Sequence, residues 1–256
     1  MQHGPQKQDF DLQFCVPSEC ARRVESGAAD LGIVPVAEMA RQGLLAVPGT
    51  GIACRGAVRS ILLISRVDPS RIRTLACDTG SRTSVRLARV ILAERYGATP
   101  ATFEHEPVLG QMLGAAEAAL VIGDAALAID PASLPYPALD LGAEWWELTG
   151  LPMVFALWAG QPARVSRWNQ EELARSFRGS LEFGLERLAE ISMAQSRQLG
   201  FSVDLVREYL SRSIVFRIGA EEEAGLAEFL RLSARLDQGG GGHGKPMLRS
   251  ESISTR

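Results

Sequence analysis

The chain has 256 residues, of which 46% are hydrophobic and 22% charged, and carries a formal net charge of −3 at pH 7. That length and apolar content are enough for a substantial core, in one domain or two lobes. The acidic balance argues against a general nucleic-acid binder, and no apolar run approaches bilayer-spanning length, which argues against a membrane partner.

Asp11 to Val16 alternates as a strand does, Pro17-Ser18-Glu19-Cys20 starts a helix that Gly27 ends, and Leu31 to Val34 is the next strand. The apolar run Ser60 to Ser65 follows. From about Val67 to Pro152 the pattern repeats as strand Thr74 to Cys77, helix Val85 to Tyr96, strand Thr102 to His105, helix Val108 to Ala116 and strand Ala119 to Ile122. This alternation is that of a parallel α/β sheet. Ser60 to Ser65 and Val154 to Ala159 bracket the block and are expected to cross between lobes, with any hinge there. From Trp168 onward the chain reads as helical: Leu181, Leu185, Leu188 and Ile191 form an expected core stripe, continued by Leu205 with Tyr209 and by Leu226, Phe229 and Leu230. The implied division is 1–66 plus 153–237 for the first lobe, 67–152 for the second, and a disordered glycine-rich tail over 238–256.

Cys15, Cys20, Cys54 and Cys77 have neither C-x-x-C spacing nor a nearby histidine. They read as small hydrophobes of a reduced, cytoplasmic protein and not as metal ligands. No glycine-rich nucleotide loop is present, so no cofactor is expected. The sequence assigns no oligomeric state.

The segment with most chemical content is Asp78-Thr79-Gly80-Ser81-Arg82-Thr83-Ser84, a hydroxyl-rich turn between a strand and a helix. Helix starts expose unpaired N–H groups and a positive dipole end, which suit a carboxylate or phosphate; an ordinary N-cap with its other hydroxyls solvated is the equally weighted alternative. Other apolar runs also end on small or polar residues, notably Leu120-Val121-Ile122-Gly123-Asp124 and Leu148-Thr149-Gly150-Leu151-Pro152. In this order, and with Val47-Pro48-Gly49-Thr50-Gly51-Ile52-Ala53-Cys54-Arg55-Gly56 ahead of Ser60, these segments resemble the chorismate dehydratase family (MqnA) of the futalosine route to menaquinone, from about Phe10 to Leu236.

The resemblance implies an α/β, type II periplasmic-binding-protein-like fold, two α/β lobes with a ligand cleft between them. It also implies an enzyme, a carbon–oxygen hydro-lyase converting the small dianion chorismate to 3-enolpyruvylbenzoate and water. Ser60 resembles the family's serine before the crossing strand. Thr79, Ser81, Arg82, Thr83 and Ser84, with Gly123 and Asp124, are the substrate-binding candidates. A strong base is not evident. Asp124 and His105 are the titratable groups nearest strand ends, each also readable as a cap or surface group, and one reading has the substrate's own enolpyruvyl carboxylate take the proton. The sequence departs from the family at its start: the strand and asparagine-bearing loop that open other members are absent ahead of Met1-Gln2-His3-Gly4-Pro5, so Met1 is expected to be a late-assigned start, with the activity of the chain as written in doubt. Two alternatives stay open, an anionic-solute-binding protein without catalysis and the related 1,4-dihydroxy-6-naphthoate synthase; the Ser60 segment and the turn from Asp78 to Ser84 favour the dehydratase.

Overall fold

A computed structural model describes residues 4–78 and 82–239. The chain begins with α1 (Pro17–Ser26), β1 (Gly32–Pro35), α2 (Val36–Gln42) and β2 (Leu45–Cys54). It then crosses into β3 (Ile61–Ser65), β4 (Thr74–Asp78), α3 (Arg82–Tyr96), β5 (Ala101–His105), α4 (Leu109–Ala115), β6 (Ala118–Ile122), α5 (Gly123–Leu127) and β7 (Ala138–Asp140), and α6 (Leu141–Thr149) returns it to β8 (Met153–Gly160). The C-terminal part comprises α7 (Pro162–Val165), α8 (Gln170–Glu186), α9 (Leu188–Leu199), α10 (Val203–Glu208), a π-helical turn (Tyr209–Ser213), β9 (Val215–Arg217) and α11 (Ala220–Gly239).

Local chemistry explains the boundaries. Proline in the first turn of α1 has no N–H to leave unpaired, and Gly27 ends the helix at φ 75°, a left-handed conformation that suits glycine. In α3, Leu87, Val90, Ile91 and Leu92 are fully buried and pack against Leu75, Cys77 and Leu120 of the sheet beneath, while exposed Arg89 faces out.

Two sheets result, in the orders β1-β8-β2-β9 and β5-β4-β6-β3-β7. The expected parallel pattern holds for β5, β4 and β6. It does not hold in the four-stranded sheet, where β8 returns from the other lobe between β1 and β2 and pairs with both in the antiparallel sense. The crossings also lie elsewhere than expected. β3 is entirely within the five-stranded sheet, flanked by β6 and β7, and β8 is entirely within the other, so the chain passes between sheets through residues 55–60 and through α6. By sheet membership, residues 61–65 therefore go with the second lobe and not the first.

Three further expectations need correction. Asp11 to Val16 forms no strand: it pairs with no strand of either sheet, and residues 11–15 instead share with edge strand β1 the walls of a cavity of about 760 Å³, also lined by Phe10, Leu31, Trp158 and Phe177, with Phe14 left 77% exposed. Leu181, Leu185, Leu188 and Ile191 are only half-buried, since α8 and α9 cover one another at the surface of the molecule. The last helix continues to Gly239, so residues 238 and 239 belong to α11, and the rest of the proposed tail lies outside the described residues. Strand β9, unanticipated, pairs with β2.

Helix α11 braces both lobes. It packs on β8, on α2 and on α3, and buried Phe229 meets the edge of buried Trp145 of α6 at 6.1 Å between ring centroids. The indole N–H of Trp145 donates to Pro152 carbonyl at 3.2 Å. Gly225 of α11 lies against that same residue so closely that a Cβ would overlap its carbonyl oxygen. Gly225→Ala must push α11 off β8; the expected loss of stability is about 1–3 kcal/mol, read from urea unfolding against a neutral surface alanine substitution such as Glu223→Ala.

Candidate functional site

Three strand ends converge at one edge of the five-stranded sheet. β4 and β6 run parallel with Cys77 opposite Leu120, so the end of β4 at Asp78 lies beside the end of β6. β3 runs antiparallel with Ile61 opposite Ile122, which sets Ser60 against Gly123, and Gly123 N–H donates to Ser60 carbonyl at 2.8 Å. Carboxyl ends of parallel strands that lead into helices are where α/β folds gather unpaired N–H groups.

Ser60 is 5% exposed, and its hydroxyl accepts a hydrogen bond from the phenol of Tyr209 at 3.1 Å. Burial raises the pKa of that phenol; the bond to Ser60 pulls against the shift and the negative charge of Asp124 adds to it. Asp124 and Gly123 themselves are exposed.

The backbone before Ser60 is held by Asp140. Its Oδ1 accepts from Val58 N at 3.0 Å, Gly142 N at 2.9 Å and Ala143 N at 3.1 Å, and its Oδ2 accepts from Arg59 N at 2.6 Å. Arg59 sits at φ 68°, a costly conformation for a residue with a Cβ. Its guanidinium donates to Ile129 carbonyl at 2.9 Å.

A second junction joins the lobes where α2 and α3 begin. The N-cap of α2 is Pro35, which has no side-chain acceptor to offer, and the hydroxyl of Thr83 supplies one from the other lobe, accepting from Ala37 N at 3.2 Å. Beside it Arg82 donates to Glu38 Oε1 at 3.0 Å, while Arg41 at 2.9 Å and Gln42 at 3.3 Å take Oε2. Buried Glu38 would alone have a raised pKa; the bonds from Arg41, Arg82 and Gln42 outweigh burial and hold it below its ordinary value.

Of the candidates from sequence, Ser60, Gly123 and Asp124 form one cluster and Arg82, Thr83 and Ser84 open α3 one strand away; Thr79 and Ser81 lie outside the described residues. Thr83 and Ser84 are buried, and the Thr83 oxygen is engaged by α2, so this hydroxyl caps a neighbouring helix instead of standing free. Arg82 is paired and borders a cavity of about 770 Å³ that also has Glu38, Asp78, Phe103 and Phe229 on its walls, and none of Ser60, Gly123 and Asp124. His105 ends β5 opposite Asp78, with Nδ1 2.8 Å from Glu106 carbonyl, so β4 stands between it and β6, where Asp124 follows. Sequence reasoning missed Tyr209, filed with Leu205 in a core stripe, and Asp140. The latter carried a signal, an Asp directly ahead of the apolar helix start Leu141-Gly142-Ala143.

Two outcomes follow from these contacts. Asp140→Asn replaces Oδ2 by an amide nitrogen and leaves Arg59 N without an acceptor; stability should fall by about 1–3 kcal/mol in urea unfolding, with the Arg59 backbone amide losing protection in hydrogen exchange. For Glu38, whose folded pKa is lowered, the stabilisation is fully present above the ordinary value of 4.5 and is lost as pH falls through the lowered folded value. Glu38→Gln should therefore flatten the acid side of the stability profile between about pH 5 and 3, with little change in its slope above pH 6.

Comparisons with known proteins agree on the fold and on the family. Protein AF1704 from Archaeoglobus fulgidus superposes with a TM-score of 0.66 at 15% identity, over 89% of this chain and 86% of that one. The periplasmic aliphatic sulphonate binding protein SsuA from Escherichia coli gives 0.58 at 14% identity, over 96% and 85%. The fold is thus periplasmic-binding-protein-like, with two α/β lobes. In sequence the chain is 30% identical over 229 residues, 82% of each protein, to the chorismate dehydratase of Thermus thermophilus. Residues 1–235 match the family model for menaquinone biosynthesis, and the chain belongs to that family.

Proposed function

We propose that the chain is a chorismate dehydratase, a hydro-lyase that converts chorismate to 3-enolpyruvylbenzoate and water on the futalosine route to menaquinone, acting in the cytoplasm without a cofactor. The observation that carries this reading is the convergence of Ser60, Gly123–Asp124 and the last residue of β4 at neighbouring strand ends, in a chain 30% identical to a chorismate dehydratase. Chorismate presents two carboxylates on a rigid ring, and a site for it needs separate, fixed donors for each. Ser60 is the donor assigned to one carboxylate, and the segment from residue 79 to Ser84, its Thr83 oxygen already engaged by α2, is assigned the other. Dehydration breaks one ring C–H bond and one C–O bond and forms a ring double bond; the proton and the hydroxide leave as water, and the gain of aromaticity drives the step.

In this reading the protein works mainly by positioning and electrostatics. His105 has a carbonyl partner at 2.8 Å and stands beyond β4, roughly 10 Å from the β6 end at two strand spacings, which leaves Asp124 and the substrate's own enolpyruvyl carboxylate as acceptors for the ring proton. The substrate carboxylate is the acceptor we favour, because intramolecular transfer needs no protein base.

The test is chromatographic: chorismate incubated with the purified chain should yield 3-enolpyruvylbenzoate. Ser60→Ala should lower kcat/KM by about 10- to 100-fold, while Asp124→Asn and His105→Gln should retain turnover. Chorismate bound without product would turn the assignment towards an anion-binding protein, and collapse of turnover in Asp124→Asn with intact binding would make Asp124 the base.

A further inference from the structure

Tyr209 lies on the π-helical turn Tyr209–Ser213, inserted between α10 and β9 in the C-terminal part of the chain. Wide helical turns of this kind are rare, because they give up regular packing around the helix axis, and they persist mostly where a side chain must be aimed. Here the aim is evident from the contact: the phenol crosses from the C-terminal elements to the first residue ahead of β3 and donates to Ser60 Oγ at 3.1 Å. The rest of the ring packs against the main hydrophobic core, which fixes its direction.

A serine hydroxyl has one proton and two lone pairs. With one lone pair taken by Tyr209, the Ser60 proton must point elsewhere. The carbonyl of Ser60 is already occupied by Gly123 N, and the backbone before it is clamped by Asp140. A hydroxyl that accepts a hydrogen bond is also a stronger donor, since each bond polarises the next.

Resting on the assignment above, we propose that Tyr209 is a positioning residue of the dehydration site: its phenol locks the rotamer and proton direction of Ser60, so that Ser60 presents a pre-aimed donor to a substrate carboxylate. Tyr209 acts through Ser60 and takes no proton itself. The π-helical turn is the device that delivers it, and the C-terminal elements thereby become part of the site instead of mere support for it.

The experiment is a double-mutant cycle on the full chain with chorismate, comparing wild type, Tyr209→Phe, Ser60→Ala and the pair. Tyr209→Phe keeps the ring and its packing, so the thermal midpoint should move little while kcat/KM falls about 10-fold. In the Ser60→Ala background the same change should have almost no further effect, because nothing remains to be oriented. Multiplicative effects in the double variant, or unchanged kinetics in Tyr209→Phe, would overturn the proposal while leaving the dehydratase assignment intact. Should the wild type turn over no chorismate, the same cycle read as chorismate affinity by tryptophan fluorescence decides it by the same criterion, and a wild type that neither converts nor binds chorismate removes the assignment and this inference with it.

Discussion

The carboxylate of Asp140 is the constraint on which the arrangement of the site depends. It accepts four backbone N–H groups, two from the segment that carries the chain out of β2 and two from the first turn of α6, which carries it back. Both passages between the sheets are thus tied to one side chain. The bonds also hold Arg59 in its positive-φ conformation, whose cost a folded chain sustains only when neighbouring contacts over-determine it. Ser60 follows directly, so its position is set by a strained residue under tension from one side and by Gly123 N–H from the other.

The lobes are joined a second time by borrowed capping. Helix α2 starts on Pro35, and its missing N-cap acceptor comes from Thr83 of α3, with the Arg82–Glu38 pair alongside. One backbone N–H of the α2 start is therefore spent on a hydroxyl of α3 and is not left for an anion. Helix α11 closes the same side by packing on α2, α3 and β8, with Phe229 against Trp145. A polar contact that caps a helix and an apolar brace thus reinforce each other across the two sheets.

Much of the fold was legible because its signals are local. The period of the α3 residues, the proline and glycine at the two ends of α1, and the apolar runs of β3, β4 and β6 all follow from the stretch of chain in which they occur. What stayed hidden depends on partners remote in sequence. The alternation of Asp11 to Val16 describes a strand, yet strands exist only as pairs, and this segment meets a cavity where an edge would be needed. The direction of the four-stranded sheet is decided by where β8 re-enters, a property of the return path and not of any one segment. Half of the candidate site was readable, since Ser60 and Gly123–Asp124 end apolar runs. Tyr209 was not, because a tyrosine at helical spacing looks the same whether its hydroxyl meets water or a serine 149 positions away.

An anion pocket could be built from free arginines, but Arg82 is already neutralised by Glu38 and Arg59 spends its guanidinium on Ile129 carbonyl. The group these strand ends hold most firmly is neutral: the buried hydroxyl of Ser60. Neutral donors bind a carboxylate less tightly than a desolvated arginine, but they are stiffer when each is itself hydrogen-bonded, as Ser60 is by Tyr209. In the proposed dehydration, which asks for orientation more than for acid or base strength, stiffness is the property that matters, and the contacts of Asp140, Gly123 and Tyr209 around one serine would supply it.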